Sequence, residues 1–151
     1  MSDSWLSEEQ LTSWRSLAAV LVMLPAKLDE AVQPHGLTFF EYSALAVLSR
    51  AEGGALPTSE LAGMSNGSLS RMSHLARRLE QRGIVKRVTS PEDRRVTLVT
   101  LTDEGRTLLT EAAPAHVAAV RELVVDVLAP EQLEALGEIS QRIIEPLDIT
   151  G

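Results

Sequence analysis

The chain has 151 residues, 44% of them hydrophobic, and a formal net charge of −7. It contains no cysteine, which excludes disulfides, thiolate metal sites and thiol-based sensing of oxidants. No run of about 18 apolar residues occurs and the N-terminus does not read as a signal peptide, so we expect a cytoplasmic protein with no membrane partner, built as one globular domain or two packed lobes.

The N-terminal region predicts one long helix. Ser7 and Gln10 have the spacing of a capping box, in which each side chain bonds the backbone N–H of the other residue. Apolar residues then recur at intervals of three and four as far as Val32, and Pro25 is a candidate bend. The sequence QPHG ends this helix.

Three further helices are predicted in the middle of the chain. Thr38 and Glu41 form a second capping box, which opens a helix that ends before EGGALP. A short helix follows over about 58–63, MSNGS turns the chain, and a longer helix runs over about 68–82. Gly83 is well placed just beyond its end, where a left-handed backbone costs glycine nothing.

The rest of the chain predicts a hairpin and two helices. Strands over 84–88 and 96–101 flank the polar turn TSPEDRR. Thr102 caps the next helix, which continues through AAPAHVAAVRELVVDVL with Pro114 as a candidate kink. Pro130 opens a last helix that is apolar on one face.

A short helix, a tight turn, a longer helix and a hairpin follow one another as in a winged helix-turn-helix. The fold class that we predict is therefore mainly α with a small β-hairpin wing. Residues 36–101 would form a DNA-binding lobe, and the helices of 1–35 and 102–151 a helical dimerisation lobe. These terminal helices carry more apolar surface than one small lobe can bury, which favours a homodimer; the alternative is that they fold back on their own chain.

The positive charge of this acidic chain is concentrated in one segment. From Arg71 to Arg95 there are eight basic and three acidic side chains, a net +5, so the rest of the chain carries −12. A basic run can be merely a solvated helix face, but the longer helix divides into two distinct faces. The face that we expect to dock on the preceding helices comprises Leu69, Met72, Leu75, Ala76 and Leu79.

The outward side chains of the longer helix and the hairpin are the candidate DNA-binding set. The candidates for reading bases are Ser68, Ser70, Arg71 and His74. The candidates for holding phosphates are Arg77, Arg78, Lys86 and Arg87. Arg94 and Arg95, at the tip of the wing, would enter a minor groove, whose negative potential favours arginine. Asp93 would pair with Arg95 or with Arg78, and the sequence leaves both open.

The stretch ELAGMSNGSLSRMSHLARRLEQRGIVKRVTSPEDRRVTLVTLTDEGRTLL, residues 60–109, resembles the MarR family of bacterial transcription regulators. The resemblance lies in LARRLEQRGIV, in PEDRR with its D-x-R pattern, and in VTLTDEG. It implies a triangular homodimer on a palindromic operator, with the D-x-R arginine, here Arg95, in the minor groove. The chain departs from many relatives in carrying His74 where they have arginine, so the bases that it reads stay open.

The same resemblance implies a small aromatic or phenolic effector bound between the two lobes. The candidate effector pocket lies around the junction of the first two helices and comprises Trp14, His35, Phe39, Phe40 and Tyr42. The alternative is that these side chains are ordinary hydrophobic packing.

Other classes of function find little support in the sequence. His35, His74 and His116 lack the spacing of a metal site, and we expect no cofactor. GSLS is not the G-x-S-x-G elbow of a hydrolase, and no glycine-rich phosphate loop is present, so we expect no enzyme. We predict a homodimeric, sequence-specific DNA-binding repressor that a small aromatic effector releases. The alternative is a winged-helix module for protein–protein contact without specific DNA binding.

Overall fold

The computed structural model describes residues 5–147, which contain six α-helices and three short strands. In chain order they are α1 (Glu8–Val32), α2 (Phe39–Arg50), β1 (Ala55–Pro57), α3 (Thr58–Met64), α4 (Leu69–Gln81), β2 (Val85–Thr89), β3 (Thr97–Leu101), α5 (Asp103–Val120) and α6 (Pro130–Ile144). A π-helical segment, Arg121–Val125, extends α5. Short 3₁₀ turns lie at Gln33–His35, Glu52–Gly54 and Glu145–Leu147.

Both predicted capping boxes are present. The Ser7 hydroxyl accepts the Gln10 N–H at 3.2 Å, and the Ser7 N–H donates to the Gln10 side chain at 2.9 Å. The corresponding distances between Thr38 and Glu41 are 3.1 and 2.9 Å. Each box satisfies backbone donors that the first turn of a helix leaves free, which is why α1 and α2 begin where they do. The helix α1 continues through Pro25.

The three strands form one antiparallel sheet in the order β1-β3-β2. The predicted hairpin is confirmed, with Val88 opposite Leu98 and Thr89 opposite Thr97. The strand β1 was not predicted; it pairs with β3 through Ala55 opposite Thr100. A strand of three residues is too short to show the alternation of apolar and polar side chains that marks a strand in a sequence.

The core lies between α2, α3, α4 and the hairpin. Its largest side chains, among them Leu45, Leu48 and Met72, are completely buried. The predicted inward face of α4 is buried at four of its five positions; Leu69 is the exception, with 55% of the residue exposed. The assignment of Leu69 to the core is therefore wrong. It is the first residue of α4, directly after the N-cap Ser68, and the elements on which α4 packs do not cover its side chain.

A junction between α4, the hairpin and α5 fixes the direction of α4. Gly83 has φ +74°, the predicted left-handed conformation, and its N–H donates to the Glu80 carbonyl at 2.9 Å. The Thr102 hydroxyl donates to the Gly83 and Ile84 carbonyls at 2.7 and 2.8 Å and accepts the Gly105 N–H at 3.1 Å. A side chain at Gly105 would collide with the Ile84 carbonyl, so only glycine allows α5 to pack this closely.

Outside residues 37–101 the structure leaves many large apolar side chains uncovered. The helix α6 has no buried residue, although Leu136, Ile139 and Ile143 lie along it. On α1 only Leu28 and Val32 are buried, while the helix exposes Leu21 and its neighbours. None of the helices described for residues 5–147 is both long and apolar enough to cross a membrane.

Candidate nucleic-acid interface

The outward face of α4 is polar and basic, as the sequence predicted. Ser68 is the N-cap of the helix, and its hydroxyl accepts the Arg71 N–H at 3.1 Å. Ser68, Ser70, Arg71, His74, Arg77 and Arg78 are all exposed. Because Met72, Leu75, Ala76 and Leu79 hold the opposite face in the core, α4 cannot rotate to hide these polar groups.

Arg71 is held against an aromatic ring. Its guanidinium carbon lies 3.9 Å from the centre of the Phe40 ring, a cation–π geometry. The same ring also lies close to Gly67, just before α4, where an added Cβ would stand 2.6 Å from the ring edge. Phe40 therefore fits closely beneath the start of α4, and this contact was not predicted.

Arg78 is paired with a buried carboxylate. Glu41, only 2% exposed, accepts the Arg78 Nη2–H at 3.0 Å and lies 3.7 Å from Arg82. Its second oxygen accepts the Thr38 N–H in the capping box. The side chain of Arg78 is 54% exposed, so its other N–H groups remain available on the outer surface.

The two basic residues at the start of the hairpin have different environments. Lys86 is exposed and makes no ion pair within residues 5–147. The backbone N–H and the Nε–H of Arg87 both donate to the Glu80 carboxylate, each at 2.9 Å. These hydrogen bonds lower the pKa of Glu80 below its ordinary value, and the one from the backbone N–H contributes most. Arg87 is therefore less free than Lys86 to reach a partner outside the chain.

At the wing tip, Asp93 pairs with Arg95, which decides between the two partners that the sequence left open. The Asp93 carboxylate accepts the Arg95 Nε–H at 3.1 Å, the Nη2–H at 3.0 Å and the backbone N–H at 3.0 Å. The side-chain hydrogen bond lowers the pKa of Asp93 and raises that of Arg95. The Arg95 side chain is 90% exposed, so it is oriented by Asp93 and still projects into solvent. Arg94 beside it is exposed as well.

A cleft of about 350 Å³ lies between α1, α2 and α4. Of the five predicted pocket residues, Phe39 and Phe40 line it, and Trp14, His35 and Tyr42 do not. The remaining lining side chains are Pro25, Asp29, Thr38, Glu41, Arg71, His74, Leu75 and Arg78. The cleft therefore shares three arginine or histidine side chains with the outward face of α4.

Tyr42 and Phe39 face a histidine that the sequence did not connect with them. The His116 ring of α5 lies 4.2 Å from the Tyr42 ring and 5.8 Å from the Phe39 ring, between centroids. Its buried Nδ1 has no hydrogen-bond partner within the described residues. Burial lowers the pKa of His116, and burial likewise raises the pKa of Tyr42. Half of Trp14 is exposed on α1, and His35 lies in the 3₁₀ turn before α2.

Comparisons with known proteins agree with this geometry. The MarR family model matches residues 37–97. The crystal structure of Sco3205, a MarR family transcriptional regulator from Streptomyces coelicolor in complex with DNA, superposes with a TM-score of 0.93 and 38% identity over 97% of this chain and 96% of that one. The transcriptional repressor Mb2911 of Mycobacterium bovis is 33% identical over 78% of this chain and 84% of its own length. CouR from Rhodococcus jostii RHA1, bound to p-coumaroyl-CoA, has a TM-score of 0.74 and 29% identity over 86% of this chain and 90% of that one.

Proposed function

This chain belongs to the MarR family of transcription regulators, and we propose that it is a homodimeric repressor that occupies a palindromic operator in the cytoplasm. The observation that carries the proposal is the basic surface of α4 and the wing. On that surface Arg71, Arg77 and Lys86 are exposed, with Arg94 and Arg95 at the wing tip. The likeness to Sco3205, which was crystallised with DNA, supports the same use of the surface.

The residues divide by the kind of DNA contact that their position allows. At the N-terminal part of α4, Ser68, Ser70, Arg71 and His74 would meet base edges, as in other recognition helices. Arg77, Arg78 and Lys86 would hold phosphates, and Arg87 would add less because Glu80 already binds it. Arg94 and Arg95 would enter the minor groove, with Asp93 setting the direction of Arg95.

The uncovered terminal helices support a homodimer. Exposed apolar side chains on α1, α6 and the segment between α5 and α6 include Leu21, Val127 and Ile139. Covering them with a second copy removes this surface from water, and a two-fold axis would set two α4 helices about 34 Å apart, one turn of DNA. Residues 1–35 and 102–151 would then form the dimerisation lobe, and 36–101 the DNA-binding lobe.

The cleft beside α4 supports regulation by a small aromatic effector. Phe39 and Phe40 offer ring faces, and the cleft also contains Arg71, His74 and Arg78 of the DNA-facing helix. CouR, a neighbour of similar fold, was solved with p-coumaroyl-CoA bound. An aromatic molecule in this cleft would contact side chains that we assign to DNA. Benzoate and phenol, added to a preformed complex with fluorescent DNA, test whether such ligands release it.

A binding titration tests the proposed function. Fluorescence anisotropy would compare the duplex upstream of the protein's own gene with an unrelated duplex of equal length, each at two salt concentrations. We expect saturable binding that survives competitor DNA and that weakens with salt, by a log–log slope of about 0.9 for each phosphate neutralised. The double variant Arg94→Ala/Arg95→Ala is the matched control and should bind weakly. Absence of binding at low salt would contradict the proposal and favour a module for protein–protein contact.

A further inference from the structure

We infer that Phe40 and Glu41, in the first turn of α2, are positioning residues that hold two arginines of α4 ready for DNA. Phe40 holds Arg71, and Glu41 holds Arg78. The inference rests on the proposed function, since it concerns how the same surface attains its affinity and its specificity. Neither residue needs to touch DNA.

Phe40 acts on Arg71 through its ring face. The tip of the ring lies close to Gly67, where even an added Cβ would stand 2.6 Å from the ring, so the backbone that leads into α4 limits the movement of the ring. The guanidinium of Arg71 lies 3.9 Å above the ring centre. A guanidinium held over a ring face has a restricted position, and its N–H groups that the ring does not cover can reach the edge of a base. Phe40 thus orients a candidate for base reading.

Glu41 acts on Arg78 through charge. The carboxylate is 2% exposed, and both its oxygens are used, by Arg78 at 3.0 Å and by the Thr38 N–H at 2.9 Å. Because the capping box fixes one end of the carboxyl group, the other end has a defined direction. Arg82 is the second cation near this carboxylate, but at 3.7 Å it lies beyond hydrogen-bond distance, so the buried charge depends mainly on the Arg78 contact. The remaining N–H groups of Arg78 stay exposed for a phosphate.

The spacing of the two pairs indicates that they act together on one face of α4. Phe40 and Glu41 are adjacent, whereas Arg71 and Arg78 are seven residues apart, two turns of one helix face or roughly 10 Å. Two residues of α2 therefore fix two arginines at the distance set by α4. Free arginine side chains lose rotamer freedom when they bind DNA, and restraint before binding removes part of that loss. The side chains of Arg71 and Arg78 are thus already restrained in the free protein.

Double-mutant cycles test the inference with full-length protein and a duplex selected from a random pool by the wild type. The first cycle combines Glu41→Gln, which keeps the size of the side chain but removes its charge, with Arg78→Ala. If Glu41 acts through Arg78, Arg78→Ala weakens binding about tenfold in the wild type and less than about threefold beside Glu41→Gln. Equal losses in both backgrounds would overturn the inference, as would tighter binding by Glu41→Gln alone.

The second cycle combines Phe40→Leu with Arg71→Ala and reads specificity. The ratio of affinities for the selected duplex and for a single-base variant should fall in Phe40→Leu and in Arg71→Ala, and the double variant should have the same ratio as Arg71→Ala alone. An unchanged ratio in Phe40→Leu would overturn this half of the inference. Should Glu41→Gln prove unfolded by circular dichroism, the Phe40 cycle alone decides, since it leaves the capping box intact.

A matched control separates positioning from a general loss of charge. Glu80→Gln also removes a carboxylate that binds an arginine, but its partner is Arg87. The effects of Glu80→Gln and Arg78→Ala on the free energy of binding should be additive. Coupling between these two as strong as that between Glu41→Gln and Arg78→Ala would overturn the inference. If the wild type selects no duplex at all, the proposed function fails and the inference with it. If the wild type binds and only the cycles are additive, the proposed function stands and the inference alone fails.

Discussion

Two regions of this chain bury their apolar residues to very different degrees. In the proposed DNA-binding lobe, 36–101, Leu45, Leu48 and Met72 are completely buried. On α6, by contrast, no residue is buried, and Ile139 is 55% exposed although the helix is just as regular. One region thus has its own core, and the other has a helix whose apolar face is not covered by any part of residues 5–147.

The charges divide along the same line. Residues 36–101 hold nine basic and six acidic side chains, a net +3, and the rest of the chain holds five basic and fifteen acidic ones, a net −10. The lobe with its own core therefore holds the basic surface that suits DNA, while the acidic terminal helices hold the apolar surface that suits a second copy. The comparison teaches that the region proposed to bind DNA has its own core, whereas the terminal helices have an apolar face that the proposed dimer would cover.

The largest expected effect comes from placing a charge on the uncovered face. Ile139→Glu should weaken the proposed dimer by about 3–5 kcal/mol, because the interface would remove the new carboxylate from water. Sedimentation velocity at micromolar concentration should then show monomers. Met64→Glu, which changes an equally exposed residue at the end of α3, is the matched control and should stay dimeric. A dimeric Ile139→Glu would remove α6 from the interface.

The core of the DNA-binding lobe gives the next largest effect. Met72 is completely buried, whereas Met64 is 59% exposed. Met72→Ala should lower the free energy of unfolding by about 2–5 kcal/mol, since the side chain leaves a cavity in the core. Met64→Ala should change it by less than about 0.5 kcal/mol. Urea unfolding followed by circular dichroism at one protein concentration measures both, and equal losses would contradict the position of the core.

The wing should affect binding without affecting folding. Arg95→Ala should weaken operator binding by about 1–3 kcal/mol, as for the loss of a contact to a base edge or groove. Its melting temperature should match the wild type, because the Arg95 side chain is 90% exposed and its hydrogen bonds are to Asp93. Arg50→Ala removes the same charge from the last turn of α2 and should bind normally. Unchanged affinity in Arg95→Ala would contradict the minor-groove assignment.

The smallest expected effect is a pH dependence of stability that arises from His116, at the contact between α2 and α5. Burial lowers the pKa of His116 below its ordinary value of 6.5. The unfolded chain therefore takes up a proton at a higher pH than the folded chain, and the free energy of unfolding falls as the pH drops below about 6.5. His116→Phe keeps an aromatic ring against Tyr42 and removes the titrating group. Melting temperatures at pH 7.5 and 5.5 should differ less in this variant, and an equal difference would contradict the contribution of His116.

Much of the fold could be predicted because its signals are local. The capping boxes that open α1 and α2 join residues three apart, and the left-handed Gly83 follows directly on α4. The two faces of α4 follow from its period, except at Leu69. Periodicity assigns a direction to a side chain but does not show where the neighbouring helices end, so it placed Leu69 in the core.

The contacts that the sequence did not reveal join distant residues. Glu41 and Arg78 are 37 residues apart, and their meeting depends on how α2 packs against α4. The strand β1 becomes one only by pairing with β3, and His116 reaches Tyr42 only through the approach of α5 to α2. Asp93 had two possible cations, and the nearby Arg95 was its partner because the turn of the wing brings them together.

The most direct test of this division of labour is the number of chains on one operator. Sedimentation equilibrium of the fluorescent, selected duplex with saturating protein gives the mass of the complex. Two chains on each duplex, and weak binding to a duplex that contains only one half of the palindrome, is the expected result. One chain on each duplex, with equal affinity for the half-site, would contradict the proposal that the DNA-binding lobe acts as part of a homodimer.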